Sequence, residues 1–369
     1  MRIKTLCLFF LVIVATALAS GQAVTRCGGP NTALYINWAT FGFDVCHTGY
    51  NPYEYRINSA NVKDLVLAWQ YGPGPEPFSS PVLVNGVVYF GGANVYAVDS
   101  GTGALLWTYS TGSAVQNYPA VSNNVLYVGS GQSVYALDAK AGTLLWKYDT
   151  TGAIATGATV ADGFVYIGSY DGSKYIIYAL DAKTGVLRWQ RTPGASGTPT
   201  VVNGLVYFGV GSDLYAVNAV SGAVVWHASL GGRVNDAVAV FNNVVYVSSN
   251  AFVYALNALT GAAFWTAQPQ AGAFQSSPVV GAGAVYVGAQ ASRQSPGPLV
   301  YCFNATNGSL LWTGPAGGGY GAITDLALAN GVLYASMGSE VDFLVAISSA
   351  DGSYLWEYQN AAGVAPIDR

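Results

Sequence analysis

Eight tryptophans recur along this chain of 369 residues, at positions 69, 107, 146, 189, 226, 265, 312 and 356, with a mean period of 41 residues. A repeat of that length belongs to the blades of a β-propeller or to the units of a helical solenoid. The residues between the tryptophans choose the first. Seven runs of β-branched and aromatic residues centre on a tyrosine, beginning with Val87-Val88-Tyr89-Phe90 and Val125-Leu126-Tyr127-Val128 and ending at Tyr334. Each follows a two-residue turn such as Asn85-Gly86, Asn123-Asn124, Asp162-Gly163 or Asn330-Gly331. Asn, Asp and Gly accept the positive φ that a tight hairpin demands, so each run is the outgoing arm of a hairpin.

A second hairpin closes every unit in one register. Ala97-x-Asp99-x-x-Thr102-Gly103-x-x-x-Trp107 recurs seven times, with Gly103, Gly142, Gly185, Gly222, Gly261, Gly308 and Gly352 in the seventh place. The eleventh place holds Trp107, Trp146, Trp189, Trp226, Trp265, Trp312 and Trp356, and Trp69 stands alone ahead of the first copy. Asp, Asn or Ser in the third place bonds the turn backbone, and glycine closes the turn. The small residue in the first place is expected to leave room for a ring from the neighbouring unit. Cys302 occupies that place, which makes it a core residue rather than a reactive thiol.

This unit resembles the tryptophan-docking repeat of the pyrroloquinoline quinone (PQQ) repeat propellers, the quinoprotein family. The lead-in Trp38, Phe41, Asp44, His47-Thr48-Gly49-Tyr50-Asn51-Pro52, Asn61-Val62, Leu65 and Ala68-Trp69 is similar to the segment before their first blade. The fold expected is therefore an all-β propeller of four-stranded antiparallel blades. Seven complete repeats fit between residues 79 and 358, and Leu65 to Tyr71 reads as an N-terminal closing strand. The ring is either seven-bladed or an eight-bladed design whose last blade is incomplete.

The first 19 residues read as a removable secretory signal, with Arg2 and Lys4 ahead of an apolar stretch from Leu6 to Leu18 and small-residue cleavage sites after Ala19 or Ala23. Residues 24–64 then form the lead-in and 65–369 the propeller. The expected location is secreted or periplasmic, without a lipid-attachment cysteine, since Cys27 follows Arg26. In an oxidising compartment Cys27 and Cys46 are spaced to bridge and staple the lead-in. Only 9% of the residues are charged and the net charge is -4, with no basic cluster, which excludes a nucleic-acid partner.

Function is less constrained. Insertions concentrate on one face of the disc, where polar loop residues include Tyr170, Asp171, Lys174, Arg233, Glu76, Arg293, Glu340 and Asp342. Asp236 and Asp325 precede or open innermost strands near the central channel, with Gln116, Asn117 and Gln275, and two channel carboxylates suit a cation. The resemblance implies PQQ and calcium in that channel for the family's dehydrogenases, held by an Asp base, carboxylate and Asn ligands, an Arg and, in many members, a disulfide between adjacent cysteines. This chain has no adjacent cysteines, its loops are short, and no catalytic residue carries across by motif. With two histidines, a His-rich metal site is excluded. The expectation is a non-enzymatic binding or scaffold module for a protein or polysaccharide partner, resembling the propeller of the outer-membrane barrel-assembly machinery. The alternative is a PQQ- and calcium-dependent oxidoreductase.

Overall fold

The computed structural model describes residues 37–72, 79–269, 273–291, 300–314, 321–338 and 343–359. The signal segment, Cys27, Glu76, Arg293, Glu340 and Asp342 lie outside them. Each repeat folds into four antiparallel strands in sequence order, as in Val82–Val84, Val87–Gly91, Val95–Asp99 and Leu105–Tyr109. Among the described residues seven such units, numbered here as blades 1 to 7, span 82–109, 120–149, 153–191, 200–229, 239–267, 273–313 and 321–359, with a short extra strand at Ala153–Ile154 in blade 3 and at Ala273–Phe274 in blade 6. Blades 6 and 7 are further joined by pairing of Gln290 with Ala322. The hairpin turns adopt the expected positive φ, 51° at Asn85 and 50° at Asp162.

The tryptophans form a chain of docking contacts from one blade to the next. The docking glycine has φ near +70°, and its seat is occupied: a Cβ on Gly142 would lie 2.6 Å from the Trp107 ring, and one on Gly103 would lie 2.7 Å from Trp69. From Trp69 to Trp312 each of these indole N–H groups donates to a backbone carbonyl of the next repeat, Trp107 to Ala139 at 3.0 Å and Trp226 to Ala258 at 2.9 Å. The same carbonyl accepts a second bond from the central tyrosine of the preceding blade: Tyr89 Oη reaches the Ala139 oxygen at 3.1 Å and Tyr207 Oη reaches that of Ala258 at 3.0 Å. Both lone pairs of a buried carbonyl are thus used. Burial pushes the Tyr89 and Tyr207 hydroxyls up to about 12, so they remain donors. In blade 7 the equivalent Tyr334 hydroxyl is buried with no partner among the described residues.

Leu65 to Tyr71 corrects the sequence reading in part. Trp69 docks on blade 1 like its successors, its N–H donating to the Ser100 carbonyl at 2.8 Å, but the segment forms no strand. Its neighbours in the lead-in do the closing. Trp38 pairs with Leu83 of blade 1, and the carbonyls of Ala39, Val45, Cys46, Thr48 and Gly49 accept the N–H of Val121, Val201, Val240, Val280 and Leu328 in blades 2, 4, 5, 6 and 7. The His47 ring lies between Thr159 of blade 3, 3.4 Å from Nε2, and Thr200 of blade 4, 3.0 Å from Nδ1. Residues 38–51 therefore run through the axis as an inner hub that every blade touches. Trp38 packs with Leu65 and Ile57 on blade 7 and with Trp69 and Tyr71 on blade 1.

Candidate functional site

A pocket beside the hub is lined by Trp38, Phe41, Gly42, His47 and Gly49 of the hub and by Ser80, Ser277, Thr324 and Asp325 at the starts of the innermost strands of blades 1, 6 and 7. A register shift between Ile323 and Asp325 in strand Gly321–Ala329 separates their roles: Ile323 is buried in the core while Asp325 lines the pocket. A bulge re-aims a side chain in this way. Phe41 stacks on Tyr118, with ring centroids 4.1 Å apart at 10°.

Asp236 sits on the connection into blade 5. Its carboxylate accepts the Thr198 N–H at 2.7 Å and also the hydroxyls of Thr198 and Tyr118. Burial nevertheless raises its pKa. Asp325 has only the Thr324 hydroxyl against burial and the charge of Asp236, and is pushed up to about 6. Both residues are half-buried. The two aspartates singled out from sequence are thus near enough for the charge of Asp236 to oppose ionisation of Asp325. Among the described residues lining the pocket there is no Lys or Arg to neutralise them.

The other candidates fall differently. Asn117 is half-buried and donates to the Ile154 carbonyl at 3.3 Å, a bond between blades 2 and 3. Gln116 is exposed and Gln275 half-buried. Tyr170, Asp171 and Lys174 close a turn of their own, in which Asp171 accepts the Lys174 N–H and Tyr170 Oη donates to the Gly172 carbonyl. Arg233 is exposed. Among the described residues no group of three or more His, Cys, Asp and Glu side chains could hold a metal ion, so a cation at the aspartate pair would draw further ligands from hydroxyls, carbonyls or water. Cys46 is disulfide-bonded, and Cys302 is a buried free thiol opposite Trp312 whose pKa burial pushes up to about 12, an unreactive core residue.

Sequence reasoning missed His47. Its two threonine neighbours spend their hydroxyl protons elsewhere, Thr200 on the Val238 carbonyl at 2.7 Å and Thr159 on that of Pro199 at 2.6 Å. Thr200 therefore accepts from Nδ1–H of the ring, 3.0 Å away. Burial pushes His47 down to about 3, so the folded protein keeps it neutral while the unfolded chain takes up a proton below pH 6.5. That contribution to stability is present near neutral pH and is lost as pH falls from 6.5 towards 3. In denaturant titrations the free-energy difference between wild type and His47→Gln should shrink on acidification over that window by up to about 1.4 kcal/mol per pH unit. A difference that does not change with pH would remove the titration of His47 from the account.

Comparisons with known proteins add the lineage. A family model described as outer membrane protein assembly factor BamB matches residues 91–248, 173–292 and 249–369. The quinohemoprotein alcohol dehydrogenase of Comamonas testosteroni is 39% identical over 103 residues, which cover 25% of this chain and 14% of that one. The dehydrogenase subunit of the quinone-dependent alcohol dehydrogenase of Gluconobacter oxydans is 34% identical over 111 residues, again 14% of its length. The chain thus matches only a small part of these relatives. Among solved structures, a quinohemoprotein alcohol dehydrogenase of Pseudomonas putida superposes with a TM-score of 0.73 at 18% identity, covering 89% of this chain and 73% of that one. BamB of Moraxella catarrhalis superposes with a TM-score of 0.60 at 24% identity, covering 75% and 85%. At such identities the superpositions speak for the fold. Docking tryptophans in one register, four-stranded blades and a matching family model over most of the chain converge: this chain belongs to the PQQ-repeat β-propeller family.

Proposed function

We propose that the chain is a quinoprotein-type oxidoreductase propeller that holds a divalent cation between Asp236 and Asp325 at the mouth of its channel. One observation carries this reading: burial and the charge of Asp236 both oppose ionisation of Asp325, in a pocket with no basic side chain among its described lining residues. Most of the relatives that match by sequence carry dehydrogenase names, which reverses the order of preference drawn from the sequence. Carboxylates beside hydroxyls such as Thr324 are hard oxygen donors and fit calcium. PQQ fits more narrowly. With no adjacent cysteines in the chain and no basic lining residue, the tricarboxylate quinone would be held beside the aspartates only through the cation. Bound, it would supply the electron acceptor for oxidation of an alcohol.

The test is direct. Purified protein titrated with PQQ should show the bound-quinone absorbance and reduction of an artificial electron acceptor by a primary alcohol, both only with calcium present. Calcium-independent quinone binding, or no binding at all, would overturn the reading. Export to an oxidising compartment is part of the proposal, supported by the disulfide at Cys46. No helix among the described residues is long and apolar enough to cross a membrane. The second reading, a scaffold for a protein or polysaccharide partner on the variable-loop face, is favoured by the missing cysteine pair and by the assembly-factor description of the matching family model. Failure of quinone binding with calcium binding intact would select it.

A further inference from the structure

Blades 1 to 6 hand their docking pair to the next blade in one way. The central tyrosine and the tryptophan meet on a single carbonyl, as Tyr127 and Trp146 do on Ala182 and Tyr246 and Trp265 on Ala305, and the ring lies on a glycine. Blade 7 faces the lead-in instead. There Asn58 to Val62 imitates a docking turn: the Ala60 N–H donates to Asn58 Oδ1 at 2.9 Å and the Val62 N–H to the Asn58 carbonyl at 3.0 Å. Gly101 and Gly103 make the same two bonds to Asp99, at 3.1 and 2.8 Å. The imitation fails at its last residue, because valine stands where the glycine would lie under the ring. Val62 is fully buried, in one cluster with Tyr334, Leu344 and Trp356. The Tyr334 hydroxyl, in a residue only 8% exposed, has no acceptor among the described residues. The indole bonds to a following carbonyl run from Trp69 to Trp312 and, among the described residues, stop there. Burial, and after it the charge of Glu54, raise the pKa of the Tyr334 hydroxyl, so the lead-in lies beside it.

We propose that residues 52–68 are a latch, which opens as a unit while the ring stays closed and so gives access to the pocket beside the hub. Both ends are anchored: Tyr50 and Asn51 pair with Leu328 and Ala329 of blade 7, and Trp69 is seated on Gly103. The hub carbonyls hold the blades whether or not the latch is down. Between its anchors the closed latch is penalised, since it seals the Tyr334 hydroxyl from water without an acceptor, and opening relieves that cost. Burial of Val62 and the bond from Asn330 Nδ2 to the Ile57 carbonyl at 2.7 Å oppose the opening. Segments balanced in this way open locally, far below the free energy of global unfolding. Trp38 carries the motion inward. It packs with Ile57 and Leu65 of the latch and is itself part of the pocket wall, with Ser80 and Asp325. The free volume of the pocket is about 40 Å³, and a single water takes roughly 10–15 Å³ by the same measure. A ligand larger than a few waters therefore needs that wall to move.

Hydrogen exchange resolved to single amides, on the full chain without calcium or quinone, tests the latch independently of what the channel holds. The amides of Val62 and Leu65 should be protected at least roughly a hundredfold less than those of Gly142 and Gly222 in the docking turns. Tyr334→Phe, which removes the unpartnered hydroxyl, should raise latch protection roughly tenfold and leave Gly142 unchanged. Tyr207→Phe removes a hydroxyl that has its acceptor, so it should lower protection at Gly261 and leave the latch as it was. Access is read by alkylation of the thiol in Ser80→Cys, since Cys302 is buried and Cys46 is disulfide-bonded. Its rate should fall roughly tenfold when Tyr334→Phe is added. Equal protection of latch and docking turns, a loss or no change of latch protection in Tyr334→Phe, or an alkylation rate indifferent to Tyr334→Phe would each overturn the assignment.

Discussion

Trp226→Ala should lower the free energy of unfolding by about 3–5 kcal/mol, among the largest single-residue effects in the molecule. The indole is 8% exposed, packs in the core shared by blades 4 and 5, and donates to the Ala258 carbonyl. Truncation leaves a cavity between two blades and removes one of two donors from a buried acceptor. Gly261→Ala attacks the same contact from the other side. At φ +72° a Cβ there would lie 2.7 Å from the Trp226 ring, inside contact distance, and would carry the left-handed penalty of about 1–2 kcal/mol as well. The two costs share one cause, so they should not add. In Trp226→Ala/Gly261→Ala the ring is gone and the added methyl has room, leaving chiefly the backbone penalty. A double-mutant cycle by guanidinium denaturation should therefore return a coupling of at least about 1 kcal/mol. Strict additivity would mean that ring and glycine are stabilised by separate contacts.

The repeat made the docking pair legible before any coordinate. Seven copies of one register identify which tryptophan, which glycine and which turn residue act together, and Asp99 accepts the N–H of Gly101 and Thr102 as its place in the turn implies. Cys302 was legible for the same reason, as one more occupant of the first position. The seat of the ring was read less well, because the glycine's second role depends on a residue some 35 positions earlier. The carbonyl shared by tyrosine and tryptophan was missed altogether: Tyr89 and Ala139 are 50 residues apart, and a backbone oxygen has no side-chain signature. The hub was hidden more deeply. Residues 38–51 occur once, without a period, and hold the blades through main-chain carbonyls that any sequence would carry. Asp236 and Asp325 could be found because they fall where innermost strands begin, near the channel. Asn117 falls there too, yet serves an inter-blade bond, since sequence alone does not tell a polar side chain facing a ligand from one facing a backbone carbonyl.

The aspartate pair leads to an expected reversal of stability with calcium. Burial and the charge of Asp236 lift the pKa of Asp325 to about 6, above its usual 3.8, so at pH 7 the folded protein holds a carboxylate it would rather have protonated. The sign follows: a raised folded pKa gives a contribution that is present below about pH 4 and lost as pH rises through 6. Asp325→Asn, a neutral near-isostere, should therefore stabilise the calcium-free protein at pH 7 by on the order of 1–2 kcal/mol, after allowance for solvent screening of a partly exposed group. Asp236→Asn should gain less, because it surrenders good bonds from Thr198 and Tyr118 that favour the charged form. Saturating calcium inverts the order. A cation at about 100 times its dissociation constant adds roughly 2.7 kcal/mol to a protein that binds it, and Asp236→Asn/Asp325→Asn, with its two carboxylates gone, should gain nothing. Thermal unfolding of wild type and double variant in chelator and in excess calcium reads all four states. The variant should be the more stable without the ion and the less stable with it. Curves that keep one order in both conditions would detach the pair from cation binding and leave the two aspartates as parts of the hydrogen-bonded wall of the channel.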